Sequence, residues 1–185
     1  MDKIFTDLRI TVTLGFVLGL GLIIAPYNVA DHALGIFQWL HVFFGITWIG
    51  LLYYFNFVQI PTMPAIPAEL KPGVSKYIAP KALFYFRWAA AFTVLTGLIL
   101  AWLYGELKEA LTFQESARLI GIGMYLALIM AANVWFIIWP NQKKALGLVA
   151  ADDATKAKAA RIAMLASRTN TILSIPMLVA MTNAR

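Results

Sequence analysis

A chain of 185 residues that is 61% hydrophobic and only 13% charged, with a mean hydropathy of +0.75, falls well short of the roughly one-quarter charged residues of soluble domains. It reads as an all-α integral membrane protein whose first partner is the lipid bilayer. The net charge of +6 would suggest nucleic acid for a soluble protein, but here it is a topology signal, and the absence of cysteine excludes disulfides, thiolate metal sites, iron–sulfur clusters and thioether-bound haem.

A helix needs about 20 mainly apolar residues to cross the hydrocarbon core, and five blocks qualify, near residues 10–25, 33–60, 83–104, 119–139 and 165–182. Lys3 and Arg9 precede the first block as they would a signal peptide, but no small-x-small cleavage pattern follows Ile24, so it reads as a span. Within it Gly15 and Gly19, four residues apart, with Gly21 adjacent, prepare a close helix contact.

The second block carries a stripe. Gln38, His41, Gly45, Trp48, Leu52, Asn56 and Gln59 follow one another at steps of three and four and so share one helix face. His41 lies about two turns into the span, where a polar ring must face the bundle interior or water. Two readings stay open for it. It is a metal or haem ligand, or it is a neutral core histidine bonded to a tyrosine such as Tyr125 or to a backbone carbonyl. His32, nine residues earlier, points to the opposite face near the interface and reads as a surface residue.

Five of the eight prolines, Pro61, Pro64, Pro67, Pro72 and Pro80, follow in residues 61–82, which predicts an extended, semi-rigid loop. In the third block Arg87 and Trp88 sit at the inner end of the span, where the arginine snorkels to the cytoplasmic interface; holding a carboxylate or propionate ranks second for it. Glu106, Glu109 and Glu115 make the following loop, 104–118, mildly acidic.

The fourth block holds Gly121, a second close-contact candidate, and Met124. That methionine is roughly level with His41 and is an axial-ligand candidate, with core filler as its plainer role. Residues 150–166 predict a basic helix with Asp152 or Asp153 as its N-cap, running into the fifth span and resting on anionic headgroups. In that span Arg168, Asn170 and Pro176 interrupt the apolar run; Pro176 removes a backbone donor and kinks the helix, with Ser174 taking up part of the loss. Trp39, Trp88, Trp102, Tyr104, Trp135 and Trp139 sit toward span ends as interface anchors.

Five spans place Lys3, Arg9, Lys71, Lys76, Lys81, Arg87, Lys143, Lys144, Lys156, Lys158, Arg161 and Arg168 on one side, leaving Lys108, Arg118 and Arg185 on the other. The positive-inside rule then makes the N-terminus cytoplasmic and the C-terminus external. No linker, repeat or low-complexity tract divides the chain, so residues 1–185 read as one domain.

Several stretches carry a resemblance. Leu40-His41-Val42-Phe43-Phe44-Gly45-Ile46-Thr47-Trp48-Ile49-Gly50 with Tyr53-Tyr54-Phe55, Phe86-Arg87-Trp88 with Leu95-Thr96-Gly97, Asn133-Val134-Trp135 through Trp139-Pro140-Asn141-Gln142-Lys143-Lys144, and Arg168-Thr169-Asn170-Thr171 with Ser174-Ile175-Pro176-Met177-Leu178 resemble the membrane domain of the bacterial membrane-bound urate oxidase family. The resemblance implies a bundle in the bacterial inner membrane with a redox ancestry. Full-length members of that family continue into a cytochrome c domain, which has no counterpart in these 185 residues. They also carry histidines where Phe84 and Ala184 stand here, and of the family's histidines His41 alone matches. The Leu-His-x-x-x-Gly-x-x-Trp pattern also resembles, over one helix, small membrane protoporphyrinogen oxidases and copper-resistance proteins, in which such a histidine is linked to haem or metal.

The expectation is therefore a haem-associated or electron-transfer accessory component rather than a complete urate oxidase. Haem b is its expected cofactor, His41 its cofactor or metal ligand, with Met124 as second axial candidate, and a second copy or a respiratory-type membrane protein its partner. Gln38, Trp48, Asn56, Arg87, Trp88, Asn133, Asn141, Gln142 and Lys143 are the structural or interface candidates. The alternative is a structural or channel-like subunit without a cofactor, whose striped second helix serves packing.

Overall fold

The computed structural model describes residues 6–24 and 32–184. Lys3, Arg185 and residue 25, the end of the first predicted span, lie outside them. The apolar blocks fold as helices: α1 (Leu8–Ile24), α2 (His32–Tyr53), α3 (Ala79–Leu103), the short α4 (Leu107–Leu111), α5 (Arg118–Asn133), the short α6 (Trp139–Ala145) and α7 (Asp153–Asn183). No strand occurs among the described residues. Four helical stretches are long and apolar enough to cross a membrane: His32–Ala65, Lys71–Leu103, Glu115–Ala145 and Asp153–Asn183. Helix α1, with 17 residues, is apolar but shorter.

Residues 61–82 correct the expectation of an extended loop. Ile60–Thr62, Met63–Ala65 and Lys71–Gly73 are helical turns, and only the stretch around Ile66 is extended. The prolines explain it, because several fall in the first turn of a helical piece, where the missing N–H removes no hydrogen bond.

Two of these prolines, and Pro140 later in the chain, follow a wider turn. The π-helical segments Tyr54–Gln59, Val74–Ile78 and Val134–Ile138 each stop two residues before a proline, Pro61, Pro80 and Pro140. In each, the residue before the proline donates its N–H five residues back, Ile60 to Phe55, Ala79 to Val74 and Trp139 to Val134. The wide turn draws back the carbonyl that a proline ring would strike in an α-helix, so the helices pass the prolines without ending. Pro176 lies inside a continuous α7. Ser174 does not take up the carbonyl that Pro176 frees: its hydroxyl donates to Thr171 O, at 2.8 Å.

Helix α2 packs mainly on α3, and α7 on α5. Between them lies a core of Trp48, Leu52, Phe55, Phe86, Ala90, Met130, Val134 and Met177. Helix α1 buries no residue. Of its glycines, a β-carbon at Gly19 would meet the Trp39 ring at 2.9 Å, whereas Gly15 and Gly21 face nothing within 4 Å. The close approach at α1 is therefore one glycine wide. Gly121 does admit a neighbour, but that neighbour is the backbone of Ala110 in α4 rather than another span.

Turn chemistry closes the ends. Gly105 and Gly147 take positive φ, both 72°, and after Gly147 the chain folds back by Gly147 N–H to Lys144 O and Leu148 N–H to Lys143 O. Phe113 holds φ of 53°, a strained value for its type, with its ring stacked on Tyr125 at 4.9 Å. Asp152, not Asp153, caps α7, accepting from Thr155 N–H at 2.7 Å.

Candidate functional site

The striped face of α2 turns inward from His41 onward, with Gln38 exposed, and its two halves meet different neighbours. In the first half His41 stands against α3. Its Nδ1 donates to the carbonyl of Thr93 at 2.9 Å, with the Thr96 hydroxyl at 3.4 Å. The ring lies on Gly97, where a β-carbon would come within 2.7 Å of His41 Cε1 and 3.0 Å of Nδ1. Glycine is required there because the imidazole occupies the volume of a side chain. Thr93 and Thr96 return their hydroxyls to Ala89 and Phe92 carbonyls of their own helix. The histidine thus bonds backbone and not Tyr125, whose hydroxyl donates to Leu111 O.

A carbonyl can only accept, so Nδ1 carries the proton and Nε2 is left with a lone pair. Among the described residues Nε2 has no hydrogen-bond partner. Met124 does not join this seat, since it packs with Ala101, Ala110 and Ala117 in a separate cluster. Nor do three His, Cys, Asp or Glu side chains gather anywhere among the described residues. His32 starts α2 and is exposed. At the same end Gln38 accepts from Tyr104 OH at 3.2 Å, joining α2 to the end of α3.

The second half of the stripe meets α7 through amides and hydroxyls, and α7 in turn bonds α5. Asn56 Nδ2 donates to Ser167 Oγ at 2.8 Å and to Leu52 O at 2.9 Å. Asn133 Nδ2 donates to Asn170 Oδ1 at 2.7 Å and to Ala166 O at 2.9 Å, and Asn170 Nδ2 donates to Met130 O at 3.0 Å. Tyr53 OH and Ser174 Oγ lie 3.0 Å apart. Asn170 and Ser174 are fully buried. Four polar atoms remain enclosed without a partner here or nearby: the Trp48 Nε1 donor and the Asn56, Gln59 and Asn133 amide oxygens.

Reading the sequence found Asn56 and Asn133 but missed their partners Ser167 and Asn170 and the pair Tyr53 and Ser174. The signal was present, since Ser167, Asn170 and Ser174 recur at three and four residues and form a polar face on α7. Thr93 and Gly97 were less accessible, because one contributes a backbone carbonyl and the other the lack of a side chain.

The remaining candidates sit where α3, α5 and α6 meet. The Arg87 guanidinium lies over the Trp139 ring at 3.9 Å and the Phe84 ring at 5.2 Å, and Lys143 Nζ is 5.7 Å from the same Trp139 ring. Trp135 Nε1 donates to Arg87 O at 3.1 Å, and its ring meets Trp88 edge-on at 5.4 Å. Asn141 turns back to Ile137 O of its own helix, and Gln142 is half-buried.

No curated protein and no solved structure matches the chain. Residues 106–185 match the model of the family described as urate oxidase N-terminal. That stretch holds α4 to α7, including Asn133, Trp139, Lys143 and Asn170, while His41 and α2 precede it. Over this later part the chain is similar to the urate oxidase N-terminal domain.

Proposed function

We propose that this chain is a multi-pass accessory subunit of the bacterial inner membrane, with α1 as a fifth span, the N-terminus cytoplasmic and the C-terminus external, in which His41 supplies one axial ligand to a haem b. The carrying observation is the His41 tautomer. Its Nδ1–H is committed to the Thr93 carbonyl, which fixes the ring and leaves Nε2 free to ligate, as in histidines that bind metals through one nitrogen and anchor through the other. A bound haem supplies one-electron transfer. This chain contributes the anchored imidazole, and Gly97 the space for it. With Met124 packed elsewhere, any second ligand would come from a second copy or a respiratory-type partner chain.

The match over residues 106–185 supports the redox ancestry without touching His41. The amide network favours a second reading, a structural subunit without cofactor, because Asn56, Asn133 and Asn170 tie three helices together. Visible absorption of protein prepared with ample haem separates them. The haem reading expects a Soret band that His41→Ala abolishes and His32→Ala leaves intact; a colourless wild type overturns it. For topology, a reporter fused after Arg185 is expected to be active outside the cytoplasm and one near Lys71 inside, and an inside C-terminus removes α1 or α7 from the set of spans.

A further inference from the structure

We infer that Arg87, Trp139 and Lys143 form a binding site for the phosphate of an acidic phospholipid. Two cations from different helices, Arg87 of α3 and Lys143 of α6, stand on one tryptophan ring, at 3.9 and 5.7 Å. Neither has a carboxylate partner: the one salt bridge among the described residues joins Lys156 to Asp153. Two like charges gathered at the edge of a low-dielectric slab repel one another unless an anion lies between them.

The stacking decides what kind of anion fits. The guanidinium carbon lies over the rings of Trp139 and Phe84, at 3.9 and 5.2 Å, and no hydrogen bond among the described residues takes its N–H groups. A planar fork held over aromatic rings with its N–H donors unspent can offer two of them to two oxygens at once, which suits a phosphate, while Lys143 adds a point charge beside it. Trp135, in the wide turn after α5, bonds the backbone of Arg87 and so keeps the fork in place.

The surroundings favour a lipid over a free phosphate. Phe84 is 47% exposed, and Phe136 and Ile137, on the turn that leads into Trp139, are 79% and 45% exposed. The cations therefore border an open apolar flank on helices that are long enough to cross a membrane. A headgroup on the cations with acyl chains along that flank satisfies both surfaces, as an amphiphile does and inorganic phosphate does not.

The test uses the full chain in neutral detergent, titrated with phosphatidylglycerol, phosphatidylcholine or inorganic phosphate, with the melting temperature and lipid retention in native mass spectrometry as readouts. Phosphatidylglycerol is expected to raise the melting temperature saturably and to remain bound, while phosphatidylcholine and inorganic phosphate do neither. Arg87→Gln and Lys143→Gln are each expected to weaken apparent affinity by on the order of tenfold. Arg87→Lys, which keeps charge but loses the fork, is expected to fall between wild type and Arg87→Gln. Lys156→Gln, outside the site, is expected to leave the titration unchanged. If Arg87→Gln does not fold, Lys143→Gln and Arg87→Lys carry the test. Equal stabilisation by inorganic phosphate overturns the lipid assignment, and undiminished phosphatidylglycerol binding in the variants overturns the site.

Discussion

The two halves of the striped α2 face solve the same problem in different ways. Around Asn56 the polar groups are amides and hydroxyls that bond across α2, α5 and α7, tying helices together side chain to side chain. Around His41 a single imidazole bonds one backbone carbonyl and sits on a glycine. An amide has two donors to spend on neighbours, so it makes a good cross-link. A neutral imidazole bonded through Nδ1 keeps one lone pair in reserve, so it makes a good ligand. The Asn56 half is thus the brace of the bundle, and the His41 half holds a ring nitrogen without a hydrogen-bond partner among the described residues.

That contrast breaks first at Asn170. Replacing this fully buried residue with leucine removes its bonds to Asn133 and Met130, and interhelical hydrogen bonds in membranes average about 0.6 kcal/mol each, with an unpaired buried amide adding to the loss. Asn170→Leu is expected to cost about 1–2 kcal/mol in reversible unfolding from mixed micelles, against well under about 1 kcal/mol for His41→Gln, which keeps a hydrogen-bonding side chain at the seat. If His41→Gln is the costlier change, the brace has been placed in the wrong half.

Gly97 sharpens the other side. A methyl group there would enter the imidazole, so Gly97→Ala has to displace the ring and is expected to cost about 1–3 kcal/mol. The same change in a His41→Ala background meets empty space and is expected to be nearly neutral. The coupling is read by measuring all four proteins of the cycle. Additive costs would mean that the ring does not rest on Gly97.

The halves were not equally legible from the sequence. Apolar runs and three-and-four spacing located the long helices and the inward stripe, because burial and helical period leave direct marks on residue types. Of the residues read as interruptions of the last span, Arg168 and Pro176 are exposed but Asn170 belongs to the packing face, since a polar residue looks alike in a sequence whether it weakens a lipid contact or completes a helix contact. The prolines of residues 61–82 misled for a related reason. Proline reports a missing donor and a fixed φ, both of which suit a first helical turn as well as an extended loop. The Thr93 carbonyl has no signature at all, and no residue pattern marks the wide turns that end before Pro61, Pro80 and Pro140.

Helix α1 gives a smaller test, since it touches α2 without burying a residue. Gly19→Leu pushes into the Trp39 ring, while Gly15→Leu meets nothing and Leu18, 61% exposed, already faces outward. Gly19→Leu is expected to lower the melting temperature slightly, with Gly15→Leu and Leu18→Phe neutral. Equal losses at Gly15 and Gly19 would require a wider α1 contact than one glycine.

The smallest effect is expected at Asp152, outside the spans and fully accessible, where the N–H of Thr155 and then its hydroxyl hold the carboxylate below its ordinary range. A carboxyl whose pKa is depressed on folding stabilises the helix start above the unfolded-state aspartate range and loses that contribution as pH falls through its own lower value. Hydrogen exchange at the Thr155 amide is therefore expected to show protection that declines only in acid. Asp152→Asn keeps a capping oxygen and is expected to retain protection with a flatter acid response, whereas Asp152→Ala frays the first turn of α7 at every pH. Since the brace residues Ser167 and Asn170 lie several turns further along α7, melting of the whole bundle is expected to stay unchanged in both variants. A bundle that melts earlier in Asp152→Ala would show that the basic first turns of α7 and its membrane-embedded part unfold as one unit.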